Sequence, residues 1–140
     1  MATQSSLESF TVWTITAANG AAASIVPELG GIVSSLMLPV GDTLCETLFR
    51  QPWFWDRTTE RTRGGIPFIF PICGRLERDG QQDTYLYDGQ RYAMPIHGFA
   101  SRKPWRVVVA DREDRIEIEL TDDETTQRCY PFAFRLRLAY

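Results

Sequence analysis

Residues 63–105 read RGGIPFIFPICGRLERDGQQDTYLYDGQRYAMPIHGFASRKPW and carry the turn and strand signals that decide the fold. Within them, Asp88-Gly89 separates two short alternating segments, and this dipeptide in that setting is a strong signal for a β-hairpin. The apolar run from Ile66 to Ile72 contains two prolines. Proline removes a backbone donor, so this run favours a short or edge strand over a central helix.

The same extended character continues on both sides of this stretch. Residues 8–27 contain a β-branched segment and an Asn-Gly turn, which predict a hairpin. Residues 116–120 alternate Ile or Leu with Glu, which predicts one buried face and one solvated face. Residues 132–140 alternate just as regularly, and helical periodicity is scarce. We therefore predict one all-β domain over residues 1–140, with many antiparallel strands and hardly any helix.

Composition excludes several classes of protein. The 15 basic and 18 acidic residues are well mixed and give a net charge of −3, so the basic patch of a nucleic-acid binder is missing. No segment approaches the ~20 apolar residues needed to span a membrane, and the first residues do not resemble a signal peptide. Cys45, Cys73 and Cys129 are odd in number and widely spaced. This pattern predicts buried thiols in a cytoplasmic protein, with no metal or cofactor.

Two side chains stand out as candidates for ligand binding. His97 is the chain's single histidine and lies in a Pro- and Gly-containing turn, and Arg75 follows the apolar run at Gly74. An imidazole and a guanidinium could converge on one small polar ligand. The alternatives are a turn histidine bonded to backbone groups and a surface ion pair of Arg75 with Glu77 or Asp79.

Several motifs in fixed order resemble the aldose 1-epimerase (galactose mutarotase-like) superfamily, in particular its branches close to LacX and the hexose-6-phosphate mutarotases. The resemblance covers nearly the whole chain and is strongest over residues 63–105 and 130–140. It implies a β-sandwich of the galactose mutarotase type whose concave face holds a sugar, with this chain as its incomplete N-terminal part. The motifs are Arg63-Gly64-Gly65-Ile66-Pro67, Phe70-Pro71, Gly74-Arg75, the Asp88-Gly89 hairpin, His97-Gly98-Phe99 and Tyr130-Pro131-Phe132-Ala133-Phe134.

The resemblance also implies a reaction and roles for individual residues. The family interconverts the α and β anomers of an aldose, with a base on the anomeric hydroxyl and an acid on the ring oxygen. His97 matches the catalytic histidine near the reacting end of the sugar. Arg75 or Arg78 matches the arginine that binds hydroxyls, and Arg75 is favoured. Arg63 matches a phosphate-binding arginine, and Arg102 lies one position from another, so a hexose and a hexose phosphate both stay open as partners.

The family's second catalytic histidine and its catalytic glutamate have no counterpart in this sequence. We therefore expect a chain that binds sugar weakly and is inactive alone. The alternatives are a non-catalytic carbohydrate-binding or regulatory module and a truncated product without independent function. Incomplete sheets leave apolar faces and edges exposed, so we also expect a homodimer formed through them.

Overall fold

The computed structural model describes residues 1–56, 58 and 64–140. Across these residues the chain forms twelve strands, two 3-10 turns (Pro27–Leu29 and Ala100–Arg102) and one short helix, α1 (Glu124–Gln127). The prediction of an all-β chain is confirmed. The strands are β1 (Thr3–Leu7), β2 (Phe10–Thr16), β3 (Ala22–Val26), β4 (Ile32–Val40), β5 (Thr43–Glu46), β6 (Glu77–Arg78), β7 (Gln81–Gln82), β8 (Thr84–Tyr87), β9 (Gln90–Ala93), β10 (Arg106–Val109), β11 (Glu117–Thr121) and β12 (Arg135–Ala139).

The strands form two larger antiparallel sheets and two short ribbons. Strands β1 to β5 are neighbours in chain order, and β10, β11 and β12 form a three-stranded sheet. The β2–β3 hairpin predicted over residues 8–27 is confirmed, with Gly20 in the left-handed region of its turn. The β8–β9 ribbon confirms the hairpin at Asp88-Gly89, and β6 pairs with β7. Short loops between adjacent antiparallel strands account for this simple order.

The main core lies between the two larger sheets. Ile25 and Val33 contribute from the five-stranded sheet, and Ile118 contributes from the three-stranded sheet. Met94 and Trp105, from the segment that joins the two sheets, belong to the same buried cluster. Burying both inner faces in one core is the arrangement of a sandwich, so the predicted architecture is confirmed.

A smaller core covers the opposite face of the five-stranded sheet. Phe10, Val12 and Ile32 bury their side chains there together with Phe54. Trp55 packs its ring against Phe54 in an edge-to-face contact with centroids 4.8 Å apart. Phe54 and Trp55 therefore cover a core, whereas Trp53 in the same loop is 48% exposed.

The apolar run Ile66–Ile72 forms no strand, so that prediction is wrong. Ile66 makes only an isolated antiparallel bridge with Val33, and Phe70 makes an isolated parallel bridge with Gly98. The two prolines explain the difference, because each removes a donor that a continuous ladder would need. The run instead bonds at single points, to strand β4 through Ile66 and to the histidine turn through Phe70.

The solvated face predicted for residues 116–120 is also partly wrong. Glu119 is only 6% exposed, because guanidinium groups from the two flanking strands cover it. Its carboxylate accepts hydrogen bonds from Arg106 at 2.7 Å and from Arg137 at 3.2 Å. Burial would raise the pKa of Glu119, but these hydrogen bonds hold it below its ordinary value.

Two further expectations from the sequence concern the burial of the cysteines and the absence of a membrane-spanning segment. All three thiols are free, but Cys73 is exposed and Cys45 and Cys129 are only half-buried, so the prediction of buried thiols is wrong. No helix in the described part of the chain is long and apolar enough to cross a membrane.

Candidate functional site

Two of the sequence motifs are locked together by backbone hydrogen bonds. The carbonyl oxygen of Phe70 accepts from the amides of Phe99 at 2.9 Å and Ala100 at 3.3 Å. Gly98 lies against the same carbonyl with φ 72°, and a Cβ atom on it would sit 2.0 Å from the Phe70 oxygen. Glycine is required at this position for its backbone conformation and for the close approach. The apolar run and the histidine turn are thereby held side by side.

His97 and Gly74 bind each other in both directions. The His97 amide donates to the Gly74 carbonyl at 2.8 Å, and the Gly74 amide donates to His97 Nδ1 at 3.0 Å. The imidazole is exposed, and the residue has φ 65°, a conformation that few non-glycine residues adopt. The alternative of a turn histidine bonded to backbone is thus confirmed for Nδ1. None of the residues that the structure describes makes a hydrogen bond to the second ring nitrogen, Nε2.

Arg75 follows Gly74 directly, so the same backbone pairing brings it beside the histidine turn. Its Nη1 atom lies 2.5 Å from an oxygen of Asp83 and 3.4 Å from the side-chain oxygen of Gln82. The suggested ion pairs with Glu77 or Asp79 are not the ones formed. Both Arg75 and Asp83 are more than a third exposed, at 38% and 39%, so solvent screens the pair.

Gly74 and Asp83 are site residues that sequence reasoning missed. Asp83 has φ 58°, and one oxygen of its carboxylate is buried without a hydrogen-bond partner among the described residues. Its amide donates to Leu76 and its carbonyl accepts from Met94, which fixes it between the two motifs. Asp83 lies eight positions after Arg75 in the chain, and no local pattern signals such a contact.

The other predicted arginines lie at the margins of this site or outside the described residues. Arg78, in β6, pairs with Asp79 at 3.5 Å, and Asp79 also binds Arg91 at 3.0 Å. Arg102 ends the 3-10 turn after the histidine, and its side chain is exposed. Arg63 lies outside the described residues. Backbone hydrogen bonds of Gly74 thus bring Arg75 beside the His97 turn. Among the described residues, Arg78 makes no hydrogen bond or ion pair with Arg75 or His97.

The site presents hydrogen-bond donors to solvent. The Arg75 guanidinium carries five N–H groups in a fixed fork, and a neutral imidazole adds one donor or acceptor. Such donors suit the hydroxyl oxygens of a small polar ligand. Among the residues that the structure describes, no three His, Cys, Asp or Glu side chains are grouped to hold a metal ion.

A cavity on the outer face of the five-stranded sheet does not involve these residues. It has a volume of about 290 Å³ and is lined mainly by hydroxyl groups, with Arg50 and Trp55 at its wall. Ser24 and Thr14 use their hydroxyls to bind each other at 3.0 Å, and the Ser34 hydroxyl binds the Ser24 carbonyl at 3.2 Å. These three hydroxyls are thus engaged within the sheet, and His97 is not among the residues that line the cavity.

The sequence from residue 11 to residue 140 matches the family model described as aldose 1-epimerase. The chain belongs to the aldose 1-epimerase family. The resemblance noted on the motifs is confirmed, and residues 11–140 include both His97 and Arg75. No match was found among curated protein sequences.

Solved structures of similar proteins support this assignment. One is the Slr1438 protein from Synechocystis sp. PCC 6803, with 28% identity and a TM-score of 0.79 over 100% of this chain. Another is a galactose mutarotase related enzyme from Lactobacillus acidophilus, with 30% identity and a TM-score of 0.72 over 92% of this chain. This aldose 1-epimerase family chain covers 45% of the first structure and 38% of the second. It therefore spans less than half the length of either.

Proposed function

We propose that this chain forms the sugar-contacting N-terminal part of an aldose 1-epimerase-type site. In this proposal His97 meets a hexose at its anomeric end through Nε2, and Arg75 binds the sugar hydroxyls. The observation that carries it is the pairing of Gly74 with His97, which holds the backbone before Arg75 beside the histidine turn, and both candidate residues are exposed. The family match over residues 11–140 supplies the class of ligand.

The proposed reaction is the exchange of α and β anomers through ring opening. It needs one group to take the anomeric proton and another to protonate the ring oxygen. This chain contains a single histidine, and His97 already uses Nδ1 as an acceptor from the backbone. We therefore propose that the chain binds hexose weakly and does not turn it over alone.

The second candidate function is a non-catalytic carbohydrate-binding or regulatory module. It is favoured by the exposure of His97 and Arg75 and by the engagement of His97 Nδ1 with the Gly74 amide. Such a module would keep the sugar contacts without an acid–base pair. A phosphorylated hexose would be a ligand of either candidate if the exposed Arg102 contributes.

Calorimetry and polarimetry on the same samples test this proposal. We expect weak heat on titration of D-galactose or D-glucose, lost in His97→Gln and retained in the control Gln90→Ala, a change at the exposed β8–β9 turn. Polarimetry of freshly dissolved α-hexose should match buffer. Absence of binding by the unaltered chain would contradict the proposal, and fast mutarotation lost in His97→Gln would contradict only the inactivity of the chain alone.

We also propose a cytoplasmic homodimer. The free thiols of Cys45 and Cys129 are compatible with a reducing compartment. At the edge strand β5, Leu44 is exposed, and Val40 is exposed at the end of the neighbouring strand β4. Apolar side chains at an open sheet edge favour pairing with a second copy. Light scattering tests this, and a monomer at micromolar concentration would contradict it.

A further inference from the structure

The hydrogen bond between Gly74 and His97 bears on which ring nitrogen of the histidine carries the proton. A neutral imidazole carries one proton, on either Nδ1 or Nε2, and the nitrogen without the proton is the acceptor. The Gly74 amide donates to Nδ1 at 3.0 Å. A proton on Nδ1 would face that N–H group, so two donors would meet and the hydrogen bond would be lost. The neutral ring that fits this contact carries its proton on Nε2.

We propose that Gly74 is a positioning residue that holds His97 in the Nε2–H tautomer, so that His97 faces a ligand as a hydrogen-bond donor. The donor would meet an oxygen atom of the ligand. In that tautomer Nε2 has no free lone pair to take a proton, so His97 does not serve as the base. The role toward sugar rests on the proposed function, whereas the tautomer itself is a property of the free protein.

The backbone of Gly74 explains why its amide can make this contact. Gly74 has φ 104°, which L side chains rarely adopt, and its own carbonyl accepts from the His97 amide at 2.8 Å. The two hydrogen bonds close a ring between the two residues. Turning residue 74 to an ordinary φ would point its amide away from Nδ1, although nothing within 4 Å would obstruct a Cβ atom there.

Nitrogen NMR of the imidazole tests the proposal without ambiguity, because His97 is the chain's single histidine. On protein labelled with ¹⁵N and kept at a pH where the ring is neutral, we expect Nε2 to carry the proton. We expect Nδ1 to show a scalar coupling to the Gly74 amide nitrogen across the hydrogen bond. A net hydrogen bond of ordinary strength predicts a tautomer ratio of about ten to one. A ring with its proton on Nδ1, or a missing coupling, would overturn the proposal.

Two alanine variants separate the role of Gly74 from general backbone strain. Gly20 has φ 84° in the β2–β3 turn, also with nothing within 4 Å of an added Cβ, so Gly20→Ala is the matched control. Gly74→Ala should move the tautomer ratio toward that of free histidine in water, and Gly20→Ala should leave it unchanged. An unchanged ratio in a folded Gly74→Ala would overturn the proposal. If that variant does not fold, the coupling in the unaltered protein decides.

Adding D-galactose to the same sample distinguishes the two proposals. A shift of the Nε2 and Nε2–H signals with no change of tautomer is the result expected of a donor to sugar. A fixed Nε2–H tautomer whose signals do not move with sugar would contradict the proposed function and would leave the positioning role of Gly74 standing.

Discussion

Replacing Gly98 by alanine should separate the histidine turn from the apolar run Ile66–Ile72, which are held side by side next to the candidate site. In Gly98→Ala the new Cβ atom would lie 2.0 Å from the Phe70 oxygen and 2.6 Å from the Pro71 nitrogen, both of them backbone atoms. Real Cβ atoms essentially never approach this closely, and backbone cannot rotate away as a side chain can. The histidine turn must therefore move off the apolar run.

The expected cost follows from what that movement breaks. A left-handed conformation at a residue with a side chain costs roughly 1–2 kcal/mol. Separation from Phe70 also removes two backbone hydrogen bonds, to Phe99 and Ala100, each with a net value of about 1 kcal/mol. We therefore expect Gly98→Ala to lower the free energy of unfolding by about 3–4 kcal/mol.

Gly89 provides a matched control. Its φ of 74° is almost that of Gly98 at 72°, but nothing lies within 4 Å of an added Cβ. Gly89→Ala should therefore show the conformational cost alone, about 1–2 kcal/mol. Urea unfolding followed by tryptophan fluorescence, with comparable slopes, measures both variants. Equal losses in the two variants would refute the reasoning, because the close approach to Phe70 would then contribute nothing.

Three further substitutions test individual contacts. Arg75→Ala should abolish sugar binding and change stability by less than about 1 kcal/mol, because its ion pair with Asp83 is exposed to solvent; a loss of stability without loss of binding would contradict this. The pKa of Glu119 is lowered in the folded protein from its ordinary value of 4.5. Its carboxylate therefore stabilises the fold at pH values above 4.5, and this contribution is lost as pH falls. Glu119→Gln should therefore flatten the loss of stability between about pH 6 and about pH 3 in urea unfolding, and an unchanged slope would count against it. Burial raises the pKa of Tyr140 from 10.0 to about 12, so its contribution is complete below pH 10 and is lost as pH rises toward 12. Tyr140→Phe should cost about 0.5–1.5 kcal/mol at neutral pH, through the lost hydrogen bond to the Gly31 carbonyl, and should remove that alkaline decline; a variant as stable as the original protein would contradict it.

The parts of the fold that depend on local sequence were predictable. The Asp88-Gly89 turn and the alternation in residues 116–120 are local signals. The turn joins β8 and β9, and the alternating segment forms most of β11, as expected. Strand β1, with the polar sequence TQSSL, gives no such signal. It is a strand because five of its residues pair with β2 at the edge of the sheet, which only the assembled sheet supplies.

The contacts around the candidate site were only partly predictable from the sequence. The motifs pointed to His97 and Arg75, but the Gly74 amide that orients the imidazole leaves no trace in the sequence. The same holds for Asp83, which reaches Arg75 only because β6 and β7 reverse the chain between them. Glu119 looked solvated by alternation, since its covering arginines come from other strands.

Amide NMR mapping of hexose binding tests the central claim most directly. With D-galactose added to ¹⁵N-labelled protein, the account predicts shifts that cluster at Gly74, Arg75, Asp83 and His97. Shifts confined to the hydroxyl-lined cavity around Ser34, on the outer face of the five-stranded sheet, or no shifts at high sugar concentration, would contradict it.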